Sequence, residues 1–244
     1  MDKVDDLDLS RSIVHVRTTG SAIGFASDDI FGQKAMQIHG ETETQGTGFY
    51  IGSGIIITAA HVAVPNSVMV RVSKNSYWEV PIWRLLTNTI IVSDYVCDLV
   101  WSDKEIDIAI LKVKDETARN FFKALPYKIK GGEGIFEGCA LAVITNMRTQ
   151  EGEIASWKQE IRYGTVKCHY AIAYPHMVQW FNTDDITMNL YIKRGDSGSP
   201  IFAFEDGIPV IVAFARAKLP AESYSYAVRL NPIMPFLNNY FNWE

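Results

Sequence analysis

Lys193-Arg194-Gly195-Asp196-Ser197-Gly198-Ser199-Pro200 is the stretch from which the fold of this chain is read. Glycine two positions before Ser197 and again directly after it lets the backbone turn sharply, leaving the N–H groups of Gly195 and Ser197 free to face an oxyanion. The same residues also suit a plain polar turn between two strands, because each is a turn former. Residues elsewhere in the chain decide between the two.

A serine hydroxyl becomes a nucleophile when a base takes its proton and a third group fixes the tautomer of that base and stabilises its cation. Thr58-Ala59-Ala60-His61 ends a run, Gly46 to Val62, that reads as two strands joined at Gly52-Ser53-Gly54 and a small-residue turn. A histidine there also suits a satisfied core or turn position. Asp107 lies in Glu105-Ile106-Asp107-Ile108-Ala109-Ile110-Leu111-Lys112-Val113, where alternation puts Ile106, Ile108 and Ile110 on one face and the aspartate on the other. A carboxylate in so apolar a strand needs a donor such as an imidazole N–H. Asp98, Asp103 and Glu105 read as solvated surface charges.

Short β-branched segments recur along the whole chain. Strands are expected at Ser12–Arg17, Ser67–Val72, Tyr77–Trp83, Thr89–Val92 and Glu105–Val113, then at Cys139–Thr145, Glu160–His169, Ile186–Ile192, Ser199–Phe204, Pro209–Arg216 and Ser223–Arg229. Gly20 to Gln45 reads as a long surface loop with a short hairpin near Lys34 to Ile38, and Asn146 to Lys158 as a polar loop. A short helix is expected over Glu116–Leu125 and a C-terminal one over Pro232–Asn239, with proline in its first turn. The glycine-rich stretch Pro126 to Gly138 divides the chain. The expected architecture is all-β: one domain over 1–244, with a barrel over about 12–125, a second over about 139–230 and a helix over about 232–239. Two six-stranded barrels fit the strand count.

The 244 residues, 48% of them hydrophobic, suffice for a full core. The 23 basic and 28 acidic residues are interspersed, which argues against a nucleic-acid partner. The acidic start lacks the pattern of a secretory signal, no apolar run is long enough to span a membrane, and three cysteines (Cys97, Cys139, Cys168) make no disulfide framework. A reducing, cytoplasmic location is expected. No His/Cys/Asp cluster has zinc spacing, and neither a metal nor another cofactor is expected.

Thr58-Ala59-Ala60-His61, Asp107-Ile108-Ala109-Ile110-Leu111 and Gly195-Asp196-Ser197-Gly198-Ser199-Pro200, in that order, resemble the three signatures of trypsin-like serine proteases of the chymotrypsin fold. From about Ser12 to Phe236 the chain is similar to the HtrA-like branch, through Ile13–Val16, Gly46–Ile51, Asp107–Val113 and Tyr226-Ala227-Val228, although a signal peptide and a PDZ domain are not expected in it. The resemblance implies a serine endopeptidase in which Ser197 attacks, His61 is the base, Asp107 orients it, and the amides of Gly195 and Ser197 bind the oxyanion. It also implies that Asp196 needs a cationic partner. Ile13-Val14 would supply one if the chain were cut after Ser12; otherwise Arg194, Lys193, Arg216 or a backbone amide are the candidates.

Tyr191 stands where relatives that cut after basic residues hold an aspartate, so a basic preference is not expected. Ala213, Phe214 and Ala215 align with the strand that pairs with substrate backbone, and Arg216 reads as a solvated arginine. The expected partners are a protein or peptide substrate and, in the alternative reading, a regulatory protein that switches on a latent or binding-only module. An α/β-hydrolase esterase is excluded by the triad order.

Overall fold

The computed structural model describes residues 9–26, 36–73, 76–132, 134–151, 154–168, 185–218 and 224–241. Among these the chain runs through β1 (Ile13–Ala26), β2 (Met36–Gly52), β3 (Ile55–Ala59), the single turn α1 (Ala60–Ala63), β4 (Ser67–Ser73), β5 (Ser76–Val92), β6 (Tyr95–Asp103), β7 (Ile108–Val113) and α2 (Glu116–Arg119). The second half holds β8 (Ala140–Glu151), β9 (Ile154–Cys168), β10 (Asp185–Met188), β11 (Pro200–Glu205), β12 (Ile208–Lys218) and β13 (Ser225–Arg229). A 3₁₀ turn at Asn231–Ile233 then leads into α3 (Met234–Phe241).

These strands close into two antiparallel barrels of the chymotrypsin type. The first follows β1-β2-β3-β7-β6-β5 and returns to β1, with β4 paired outside the ring to β5. The second follows β10-β13-β12-β11-β8-β9 and closes on itself. Closure pairs every strand of each ring on both sides over part of its length. Ile55, Ile56, Ile57, Ile108, Ile110 and Leu111 are fully buried on the paired strands β3 and β7, filling the first barrel from its middle. Its apolar core continues without a break into Phe202, Ile211, Phe214 and Val228 of the second. The halves therefore share one continuous hydrophobic contact.

Several sequence expectations are corrected here. Gly20 to Ala26 and Met36 to Gln45 are not loop: β1 and β2 pair without interruption from Ile13↔Phe49 to Ala26↔Met36. Gly20 looks like a strand terminator, yet a Cβ there would lie 2.1 Å from the Thr87 carbonyl oxygen. It is the residue that lets β1 approach β5 and seal the barrel. Likewise β8 and β9 run through most of the expected polar loop, pairing as far as Glu151↔Ile154. Tyr77–Trp83 and Thr89–Val92 are one strand, β5, bulged at Leu86. β6 was not expected, and the helix over Glu116–Leu125 shortens to α2, capped by the Asp115 carboxylate on the Thr117 amide. The C-terminal helix is present over Met234–Phe241, with its own Leu237 fully buried. His169 and Ser223, at the ends of two expected strands, lie outside the described residues.

Candidate active site

β3 ends at Ala59, and α1 turns His61 back over the strand pair. Asp107, the residue before β7, sits directly alongside: its carbonyl accepts the Ala60 amide at 2.9 Å. Asp107 is not in the strand but in a left-handed conformation, φ 58°, which aims its side chain toward α1 rather than across the sheet. The Asp103 carboxylate, expected to be solvated, builds this corner by accepting the amides of Glu105 and Ile106.

Asp107 is 5% exposed, and each of its oxygens is engaged. Oδ2 lies 2.8 Å and Oδ1 3.0 Å from His61 Nδ1, and Oδ1 also accepts the His61 backbone N–H at 2.9 Å. Two donors from one residue fix both the position of the imidazole and its tautomer, with the proton on Nδ1 and the lone pair on Nε2. The side chain of His61 is 38% exposed, so the imidazole is not sealed into the core.

The serine turn is held from both barrels. Within its own half, the Gly198 amide donates to the Ala215 carbonyl (2.7 Å), Ala215 donates back to Ser199 (2.8 Å), and Ser199 donates to the Asp196 carbonyl (2.8 Å). From the other half, Thr47 on β2 donates its amide to the Ser197 carbonyl (2.7 Å) and its hydroxyl to the Gly195 carbonyl (2.9 Å). The Thr58 hydroxyl in turn donates to the Thr47 carbonyl. Gly195 and Gly198 have φ of 96° and 88°. With the Asp196 carbonyl committed to Ser199, the planar peptide directs the Ser197 N–H the opposite way. Among the described residues neither this amide nor that of Gly195 has a hydrogen-bond acceptor, which is the state an oxyanion site requires. The Ser197 hydroxyl donates to the Arg216 carbonyl at 3.0 Å, so its proton rests on backbone and not on His61.

Asp196 is 2% exposed, and its partner is one the sequence reading missed. Arg162 on β9 donates to Asp196 Oδ2 at 2.7 Å, and the Lys193 amide donates to the same oxygen at 2.7 Å. Burial pushes the Asp196 carboxyl above the ordinary range, while the Lys193 amide and the Arg162 guanidinium pull against it. Of the candidates named from sequence, the backbone amide at Lys193 is engaged. Lys193 Nζ instead pairs with Glu160, and Arg194 is exposed. Ile13 and Val14 are fully buried strand residues paired with Phe49 and Gly48, so the turn is held without a processed N-terminus.

Arg216 is also corrected. It is not a solvated surface residue: its side chain is 13% exposed, with Nε 3.3 Å from Asp107 Oδ2 and a terminal nitrogen 2.5 Å from the fully buried Asp185. No sequence signal marked Asp185, because its partner is fixed by the register of β10 and β12 about a shared neighbour, β13.

Ala213, Phe214 and Ala215 are fully buried. Ala213 is paired on both sides, with Ile201 and Arg229, and both backbone groups of Ala215 face the serine turn. Strand β12 loses its β11 neighbour after Phe214, so its open edge begins at Arg216 and not at Ala213. Tyr191 is 55% exposed, with its ring 5.8 Å from the Arg162 guanidinium carbon and its carbonyl accepting from the same guanidinium. Among the described residues no cluster of His, Cys, Asp and Glu could hold a metal ion.

Paired β-barrels meeting over a histidine–aspartate pair and a glycine-flanked serine define the chymotrypsin-like class of fold. Residues 46–210 match the model of the trypsin-like peptidase domain, and the chain belongs to that family. Its fold is similar to the HtrA-type protease AlgW solved with a decapeptide, at 15% identity and a TM-score of 0.55, covering 95% of this chain and 65% of that one. It is also similar to the Rv3671c protease from M. tuberculosis in two structures. The active form gives 16% identity, a TM-score of 0.55 and coverage of 94% and 80%. The inactive form gives 15% identity, 0.53, and 95% and 89%. The chain thus spans less than two thirds of the length of AlgW. Comparison with curated proteins finds none similar in sequence.

Proposed function

We propose that this protein is a serine endopeptidase in which His61, Asp107 and Ser197 form the catalytic triad. The observation that carries the reading is the His61 Nδ1 bond to Asp107, 2.8 Å, beside a serine turn whose Gly195 and Ser197 amides have no acceptor among the described residues. In the reaction Ser197 Oγ attacks the scissile carbonyl and its proton passes to His61 Nε2. Asp107 stabilises the imidazolium, and the two amides take up the charge on the tetrahedral oxygen. His61 then returns the proton to the leaving amine, and water repeats the cycle on the acyl-enzyme. A peptide strand docking on the open edge of β12 from Arg216 would place an N–H on the Arg216 carbonyl, displacing the serine hydroxyl toward His61. The decapeptide bound to AlgW supports a peptide as the class of ligand. Cys97 and Cys139 are free thiols, which fits a reducing, cytoplasmic setting.

A latent module awaiting a regulatory protein is the second reading, and the hydrogen bond from Ser197 to Arg216 in place of His61 favours it. Active and inactive forms of one relative match this fold almost equally, so the fold does not choose. A fluorophosphonate probe does. Labelling of wild type that disappears in Ser197→Ala supports the active enzyme, and labelling that requires an added partner supports latency. A wild type left unlabelled where a known relative reacts removes the first reading.

A further inference from the structure

The Arg216 guanidinium bridges two carboxylates that come from different barrels. Nε lies 3.3 Å from Oδ2 of Asp107, at the entry to β7, and a terminal nitrogen lies 2.5 Å from Oδ2 of Asp185, on β10. The three side chains are 13%, 7% and 0% exposed in the order Arg216, Asp107, Asp185. So little water reaches them that their charges act on one another with weak screening.

A cation against Asp107 opposes the work that aspartate does. The imidazolium formed on His61 would face positive charge from Arg216 as well as negative charge from Asp107. The second carboxylate removes the conflict. With His61 neutral, Asp107, Arg216 and Asp185 carry one net negative charge, the same as an aspartate alone; transfer of the serine proton to His61 brings the group to neutrality. We propose that Asp185 is a positioning residue for peptide-bond hydrolysis: acting through Arg216, it lets the guanidinium anchor the Asp107 carboxylate without cancelling its charge. This rests on the triad assignment above.

The test compares Asp185→Asn with Asp185→Asn/Arg216→Gln. The single variant keeps the shape of residue 185 and leaves Arg216 uncompensated. In protein that melts cooperatively, kcat on a peptide substrate and the fluorophosphonate labelling rate should fall about 10- to 100-fold, with KM within about twofold. The double variant removes both charges together, restores the net charge, and should bring kcat back to within about threefold of wild type. An ion pair that served stability alone would lower the melting temperature of both variants and leave kcat in place. Unchanged kcat in Asp185→Asn, or a double variant no faster than the single one, overturns the proposal. If Asp185→Asn does not fold, the double variant decides against wild type, and a kcat below about a tenth of wild type overturns the proposal. A wild type that no fluorophosphonate labels overturns the assigned function and this role with it, whereas labelled wild type with insensitive variants overturns only the role.

Discussion

Removing the Arg162 side chain should unlock the serine turn from behind. Its guanidinium donates to Asp196 (2.7 Å) and to the Thr145 hydroxyl (3.1 Å), also engages the Tyr191 carbonyl, and approaches Glu160 at 3.7 Å. In Arg162→Ala the Asp196 carboxylate keeps the Lys193 amide but loses its counter-ion in a site 2% exposed. Breaking a buried pair by deleting one partner costs about 3–5 kcal/mol, because the remaining charge is stranded. Urea denaturation at neutral pH should show a loss of that size, together with slower fluorophosphonate labelling as the turn relaxes. The pH dependence gives a second reading of the same cause. Burial already pushes the Asp196 carboxyl up, and loss of the guanidinium pushes it further. Between the unfolded and folded pKa values the folded state holds a proton that the unfolded chain has released, so stability falls as pH rises. The deficit of Arg162→Ala should therefore shrink as pH is lowered from neutral, and Arg162→Met/Asp196→Asn should recover part of it at neutral pH. A loss under about 1 kcal/mol, or one that does not vary with pH, would refute the view that Arg162 holds this turn.

Gly198→Ala should abolish labelling and cost about 3 kcal/mol by thermal melt, since its φ is 88° and a Cβ would sit 1.9 Å from the Thr47 carbonyl oxygen. Thr47→Val removes the hydroxyl that anchors the Gly195 carbonyl; the expected result is a loss of about 1 kcal/mol in denaturant and a slower labelling rate. Cys97 has a thiol pushed up to about 12, chiefly by burial, so peptide mapping after maleimide treatment at pH 8 should find half-buried Cys139 modified well before Cys97. Its contribution to stability is complete while the unfolded thiol is also protonated and is lost as pH rises above the ordinary thiol range toward about 12, which alkaline denaturation of Cys97→Ala against wild type would register.

Local chemistry carried the serine turn and the two residues now paired as His61 and Asp107, because each needs a small set of residue types over a few positions. Partners that depend on register were not legible. Arg162 meets Asp196 only because β9 passes behind the turn, and Arg216 points inward only because two carboxylates await it there. The strand boundaries failed for a related reason. Gly20 carries the local signature of a turn, and its role as a spacer against Thr87 exists only once β1 and β5 are side by side. In β6 the charges Asp98 and Asp103 break the apolar alternation; one pairs with Lys114 at the surface and the other builds the corner before Asp107. Glycine and charge mark loops in isolation, but a closed barrel uses both inside strands.

Thr47 belongs to the first barrel, yet it grips the serine turn of the second at two carbonyls. A ribosome delivers that first barrel before the segment around Ser197 exists. The half-made chain therefore has a template with nothing to hold, and a second half on its own would have a serine without its mould. The shape of this turn is an attribute of the finished molecule, so neither fragments nor nascent chains hold Ser197 as the two barrels together do.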